Sequence, residues 1–280
     1  MTTNPAGPPP PRGGAGGEER GDAPSPPLRV TLYATCLVDH FFPEVGEATV
    51  HLLERAGAEV DFPEGLTCCG LPHFNNGFRG EARKTLSRQL DLLEGEGPIV
   101  VPSGSCCWML RCVLPTLFPD DPWLRERAEG VAARVYEVSQ FLDRFGGGGA
   151  AAPLPGTTVY HDSCHLLRGL GEREAPRRLL DEAAERRVEM AGCDRCCGFG
   201  GSFAVKYPQI SCAMLDAKLD AAESAGADWI VAADAGCMLQ IGGGLQRRRS
   251  PVRLLHLAQA LAGPGAPGWP GGALPREGPP

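Results

Sequence analysis

The residues of this chain best suited to chemistry are its cysteines, and their spacing repeats. Cys36 and Cys164 stand 128 positions apart, as do Cys68 and Cys196, and Cys69 and Cys197. Cys106 and Cys237 stand 131 apart, so the second half carries a three-residue insertion before its last cysteine. Each half therefore offers four thiols: Cys36, Cys68, Cys69 and Cys106, then Cys164, Cys196, Cys197 and Cys237. Four thiolates suit a zinc ion or an iron–sulfur cluster. Adjacent cysteines are awkward around one zinc, because successive side chains diverge, whereas a four-iron cluster offers different irons to neighbouring thiols. The glycine after each pair, Gly70 and Gly198, permits positive φ and lets backbone approach inorganic sulfide. The run Gly198-Phe199-Gly200-Gly201-Ser202 adds amides that could hydrogen-bond the sulfides and tune potential. The expected cofactor is a 4Fe–4S cluster in one or both halves.

The alternative for any cysteine is a buried free thiol packing as a small hydrophobe. That reading fits Cys112 and Cys212, which fall on expected helices. Cys107 adjoins Cys106 and could replace it as a ligand. Cys193 forms a Cys-x-x-Cys with Cys196, but the first half has Gly65 at the matching position, so Cys193 is read as incidental. His161 and His165 flank Cys164, and His73 follows the first pair; each could move protons or simply fix loop backbone. Arg195 and Lys206 bracket the second pair and could stabilise an anionic cluster, hold a carboxylate, or face solvent. No Ser-His-Asp set, P-loop or dinucleotide fingerprint is present.

Thiols this far apart in sequence must be brought together by the elements before them. Leu28–Tyr33 is apolar and β-prone, and Val45, Ala48, Leu52 and Ala56 recur at helical spacing before Gly57. Residues 59–62 form a short strand, 81–93 an amphipathic helix, 99–101 a buried strand, and 135–138 a fourth strand with a short helix after it. The second half repeats this order, ending with a strand over 252–255 and a helix over 258–261. Such alternation predicts an α/β fold of two tandem similar units, each a small parallel sheet flanked by helices. Every key cysteine then follows a strand, and in an open parallel sheet the carboxyl ends lie along one edge, where ligands bind. Three Pro/Gly-rich stretches divide the chain. Tails are expected over 1–27 and 263–280 and a linker over 146–156, leaving units at 28–145 and 157–262.

Composition narrows the function. The chain is 42% hydrophobic and 22% charged, enough for a real core. Its net charge of −7 argues against nucleic acid, and Arg247-Arg248-Arg249 is read as a solvated helix end. Residues 1–27 hold 8 Pro and 6 Gly and do not read as a signal peptide. No stretch reaches the roughly 20 apolar residues of a membrane span. A cytoplasmic location is expected, and in a reducing compartment 12 cysteines imply metal or redox chemistry rather than disulfides.

The motifs also resemble a known family. Thr35–Asp39 (TCLVD), Glu59–Gly70 (EVDFPEGLTCCG), Pro102–Cys106 (PSGSC), Tyr160–His165 (YHDSCH), Arg195–Lys206 (RCCGFGGSFAVK) and Ala233–Gly244 resemble the CCG-domain, or cysteine-rich-domain, Fe–S oxidoreductases over residues 28–262. That family is related to the B subunit of heterodisulfide reductase and the iron–sulfur subunit of glycolate oxidase. The resemblance implies an electron-transfer subunit of an L-lactate-oxidising system, part of an oxidoreductase complex of the lactate dehydrogenase type. Its implied partners are lactate utilisation proteins B and C or another redox subunit. A catalytic subunit acting on a thiol or disulfide substrate and a non-enzymatic zinc protein are the alternatives. One departure is informative: the fuller family motif closes each repeat with Cys-x-x-Cys, but Met109 and Gln240 stand at the final positions. Lacking that fifth cysteine, ordinary 4Fe–4S cubes are at least as fitting as noncubane clusters.

Overall fold

A computed structural model describes residues 27–146 and 152–270. Eight strands form two parallel sheets. The first contains β1 (Leu28–Leu32), β2 (Ala58–Asp61), β3 (Ile99–Val101) and β4 (Val135–Glu137), in the order β2-β1-β3-β4. The second contains β5 (Leu154–His161), β6 (Ala184–Val188), β7 (Trp229–Ala232) and β8 (Arg253–His256), in the order β6-β5-β7-β8. The two sheets share register as well as order. Leu32 pairs with Val100 on β3, and Tyr160 pairs with Val231 on β7. The duplication seen in the cysteines is therefore a duplication of the α/β unit.

The third strand of each sheet, β3 and β7, is short and wholly apolar because both faces are covered. Every residue of Ile99–Val101 and of Trp229–Ala232 is buried. Helix Pro43–Arg55 buries Val45, Ala48, Leu52 and Leu53; Ala48, Leu52 and Leu53 join the core of the first sheet, and Val45 packs in a cluster with Ala232, Ala235 and Met238. A proline at its first turn costs no hydrogen bond. The short helices after β4 and β8 both begin with a capping box, Glu137 with Gln140 and His256 with Gln259.

The halves are not separate globules. A single apolar cluster contains Val30, Val100 and Phe141 from the first half with Tyr160, Val231 and Leu257 from the second. The loops after the third strand of each half meet directly: Gly104 N–H donates to Ala233 O (2.9 Å). A Cβ at Gly104 would lie 2.8 Å from Leu166 Cβ, so this approach needs glycine. The carboxyl ends of both sheets consequently line one seam.

The structure corrects three expectations. The helix read over 81–93 is two, Arg79–Ser87 and Leu90–Leu93. The break falls at Arg88 and Gln89, where the buried Gln89 amide is spent on loop backbone near Cys68 (below). The linker read over 146–156 overlaps β5, which begins at Leu154. The tail read from 263 is ordered through 270. Trp269 packs edge-on to Trp229 at 5.8 Å, and Gln259 Nε2 donates to Gly268 O (3.0 Å), so apolar burial holds a Pro/Gly-rich segment in place. Residues 1–26, 147–151 and 271–280, the remainder of those tails and linker, lie outside the described residues.

Candidate metal centre

Both thiol quartets assemble. In the first half, Cys36 opens the short helix after β1 and Cys106 lies on the helix after β3. Cys68 and Cys69 sit on the turn that follows β2. Cys69 Sγ lies 3.3 Å from Cys106 Sγ, and Cys36, Cys68 and Cys69 lie close enough to shift one another's ionisation. The second half repeats the chain of contacts from Cys164 to Cys196, Cys197 and Cys237. Of the remaining four cysteines, Cys107 is fully buried in the core, Cys112 and Cys193 are half-buried, and Cys212 is exposed. Met109 is buried in the core and Gln240 donates to Ser211, so neither motif-closing position carries a thiol.

Backbone geometry aims the paired cysteines. Gly70 and Gly198 adopt φ of +79° and +89°, the left-handed region that favours glycine. The turn points each glycine N–H back at the preceding thiol: Gly70 N donates to Cys68 Sγ (3.4 Å) and Gly198 N to Cys196 Sγ (3.3 Å). Thr35 holds φ +69° without being glycine, and its hydroxyl caps the helix that begins at Cys36. Gly200 and Gly201 continue into the helix Ser202–Lys206.

The thiols perturb one another strongly. Hydrogen bonds from Cys36 and then Cys69 pull the Cys68 thiol down to about 2, while the Cys36 thiol is pushed far up by the bond to Cys68 and by burial. Cys164 and Cys197 do the same to Cys196, also about 2. The Cys69 and Cys197 thiols are pushed far up by their thiol neighbours and by burial. Several thiolates at this spacing repel one another, and a metal supplies the positive charge that offsets the repulsion. The donor set, the spacing and the inward amides all fit a metal group.

The two floors differ. Tyr33 lies under the first quartet, its hydroxyl donating to Thr67 O (2.7 Å) and Gln89 Oε1 (3.1 Å). Gln89 also accepts from Thr67 N (2.9 Å) and donates to Cys68 O (3.0 Å), fixing the turn that carries the cysteine pair. In the second half the corresponding helix brings Lys218, 2% exposed, whose ammonium donates to Gly192 O (2.6 Å) and Cys193 O (3.0 Å). His161 takes the place of Tyr33, and burial, with Lys218 nearby, pushes its ring down to about 3. Asp234 joins the two halves. Its Oδ1 accepts from Gly236 N (3.0 Å) and Cys237 N (3.3 Å), and its Oδ2 from Ser105 N (2.8 Å) and Ser103 Oγ (3.1 Å).

The other residues anticipated beside the site divide. His165 is there: its Nδ1 lies 3.8 Å from Cys164 Sγ and its ring packs at a tilt against Trp108 across the seam, with centroids 4.9 Å apart. Arg195 is exposed, and Lys206 is exposed with its ammonium 3.2 Å from Asn76 Oδ1. The cation beside the second quartet is instead Lys218. It and Gln89 escaped sequence reading, yet each left a trace: a polar residue inside an apolar helical stripe, Gln89 between Leu86 and Leu93, Lys218 between Leu215 and Ala222. A shallow cleft of about 160 Å³, lined by Thr35, Cys36, Phe62 and Cys68, opens the first quartet to solvent.

Two tandem parallel sheets with thiol quartets at their carboxyl ends define a duplicated cysteine-rich domain. The family profile of the CCG cysteine-rich domain matches residues 30–111 and 158–242, and the chain belongs to that family. Among its relatives is lactate utilization protein A of Geobacillus thermodenitrificans, 42% identical over 236 residues, covering 84% of this chain and 98% of that protein. Proteins of the same name from Geobacillus kaustophilus (43% identical; 84% and 98% covered) and Bacillus subtilis (42%; 84% and 99%) are similar to it over the same length.

Proposed function

We propose that this protein is an iron–sulfur electron-transfer subunit of a system that oxidises L-lactate to pyruvate. The observation that carries the proposal is the paired quartet: eight cysteines from distant loops converge as two four-thiol sets within one seam. Cys36, Cys68, Cys69 and Cys106 would hold one 4Fe–4S cluster, and Cys164, Cys196, Cys197 and Cys237 another. Such clusters accept and release one electron at a time. The protein's part is to place the thiols, to bury Cys69, Cys197 and Cys237 from solvent, and to offer Gly70 and Gly198 amides that reduce negative charge on the sulfurs. Lactate enters the proposal through the name of the relatives. In that setting the partners are lactate utilisation proteins B and C or another redox subunit, and the location is the cytoplasm. Among the described residues no helix is long and apolar enough to cross a membrane.

Anaerobic purification with iron, acid-labile sulfide and zinc analysis, plus EPR of the reduced protein, tests this reading. Iron and sulfide at four to eight atoms each per chain are expected, as one or two four-iron clusters hold. Cys197→Ser should lose the second cluster. A colourless protein containing zinc and no sulfide defeats the proposal, and turnover of an added disulfide by the isolated chain would replace it with a reductase.

A further inference from the structure

The two quartets share a fold but not a floor. Register makes the comparison direct. Tyr160 pairs with Val231 as Leu32 pairs with Val100, so the next residue of each strand, His161 or Tyr33, reaches the same place under its quartet. Tyr33 is satisfied there by Thr67 and Gln89. His161 is fully buried, and neither of its ring nitrogens has a hydrogen-bond partner. An imidazole stripped of water at both nitrogens is costly, because each unpaired group forfeits the hydrogen bonds it makes in water. Native structures seldom keep such a group without a use.

What the ring faces identifies that use. One of its nitrogens, Cys197 Sγ and Cys237 Sγ all lie within 4.8 Å of one another, and all three residues are buried. Small side-chain rotations bring such a group to the roughly 3.5–4 Å that separates two donors on one ion, given bonds of about 2.0–2.3 Å. Lys218 does not serve as the ring's partner, because its ammonium is engaged by Gly192 O and Cys193 O. Among the described residues this is the one mixed thiol–imidazole group at such spacing.

We propose that His161 is a ligand to the metal group of the second half, giving that site a mixed thiolate–imidazole donor set where the first is thiolate alone. The proposal rests on the metal-binding reading above but not on which metal is bound. Bound in place of one of the four thiolates assigned above, a neutral imidazole lowers the negative charge on a cluster, and histidine ligation raises the potential of an iron–sulfur centre. The halves are then unequal by construction: the second is the better electron acceptor, and electrons entering at the first, next to its open cleft, run toward the second.

The test is pulsed EPR (HYSCORE) of the reduced, anaerobically isolated full chain labelled with 15N-histidine. A strongly coupled 15N is expected, retained in Cys69→Ser and His165→Gln and lost in Cys197→Ser. His161→Gln should lose it while the first cluster's EPR signal stays, and His161→Cys should lower the reduction potential of the second centre. No strong histidine coupling in wild-type protein that holds both clusters overturns the proposal, as does coupling lost with His165→Gln. These wild-type and His165 readouts do not depend on whether the His161 variants fold. If the protein holds zinc, the electron-transfer reading fails while this one is still decided: X-ray absorption at the zinc edge must show an imidazole shell that Cys69→Ser keeps, and sulfur-only scattering refutes it.

Discussion

Asp234→Asn tests how the two halves are held in register. The substitution keeps the side chain's size and leaves Oδ1 to accept from Gly236 N and Cys237 N, so the cap of the helix carrying Cys237 survives. The other position becomes an NH2 group that faces the N–H of Ser105, one residue before Cys106. Ser103 can turn its hydroxyl to accept; the Ser105 amide has no such option. One hydrogen bond to a charged acceptor is lost, worth about 1.5–3 kcal/mol, and a donor is left unpaired at a packed seam at a further ~1–3 kcal/mol. The expected loss of stability is about 2.5–6 kcal/mol. At roughly 2–4 °C per kcal/mol for a chain of this size, the melting temperature should fall by about 5–24 °C. The assay is urea and thermal unfolding of the metal-free protein, with metal content measured in parallel. Because Asp234 holds the loops of Cys106 and Cys237 together, metal should fall in both quartets, whereas Cys197→Ser empties only the second. Asp234→Ser, which can cap but cannot reach across, should match Asn and not wild type. Stability within ~0.5 kcal/mol of wild type in Asp234→Asn, with both sites full, would refute this account of the seam.

Other consequences are as direct. Gly198→Ala places a Cβ 2.6 Å from Ser211 O in a left-handed conformation, while the same change at Gly70 meets nothing closer than 3.4 Å. Both pay about 1–2 kcal/mol for the conformation, but Gly198→Ala should also deplete the second metal site, measured by metal per chain, and Gly70→Ala should leave the first largely filled. Burial pushes the Glu137 carboxyl up from 4.5 to about 7, with Oε1 unpartnered. A raised carboxyl stabilises the fold fully below pH ~4.5, and that contribution is lost as pH rises toward 7, at about 1.4 kcal/mol per unit or ~3 kcal/mol in all. Urea midpoints from pH 4 to 8 should show that fall in wild type and a flatter curve in Glu137→Gln; parallel curves would count against it. Arg177 forms a two-bond fork with the carboxylate of Asp162, which is 2% exposed, so Arg177→Met strands a buried charge and should cost about 3–5 kcal/mol in chemical unfolding. A cost under ~1 kcal/mol would mean that water reaches Asp162.

Much of this molecule is legible before any coordinates. Cysteine spacing at offsets of 128 and 131 reveals the duplication, because a repeated fold repeats the positions of the residues that follow its strands. Short apolar runs alternating with 3.6-residue stripes reveal a covered parallel sheet, because burial on two faces and on one face leave different periods. A parallel sheet in turn puts the residues after its strands on one edge, so the membership of each quartet, from Cys36 to Cys106 and from Cys164 to Cys237, follows from order along the chain.

What order along the chain does not carry is which polar groups meet once the sheets are packed. Asp234 reads as an ordinary helix cap; only the docking of the halves brings Ser105 onto its second oxygen. Lys206, beside the cysteine pair in sequence, points to Asn76, while Lys218, twenty-one residues beyond Cys197, lies buried beside the quartet. Residues 263–270 have a tail's composition and are held by Trp269 against Trp229. Periodicity and spacing are local and survive in the sequence. Burial, and the pairing of the groups it isolates from water, arises from contacts between distant segments, and there the two halves part: Tyr33 finds partners under its quartet, and His161 has none but the thiols above it.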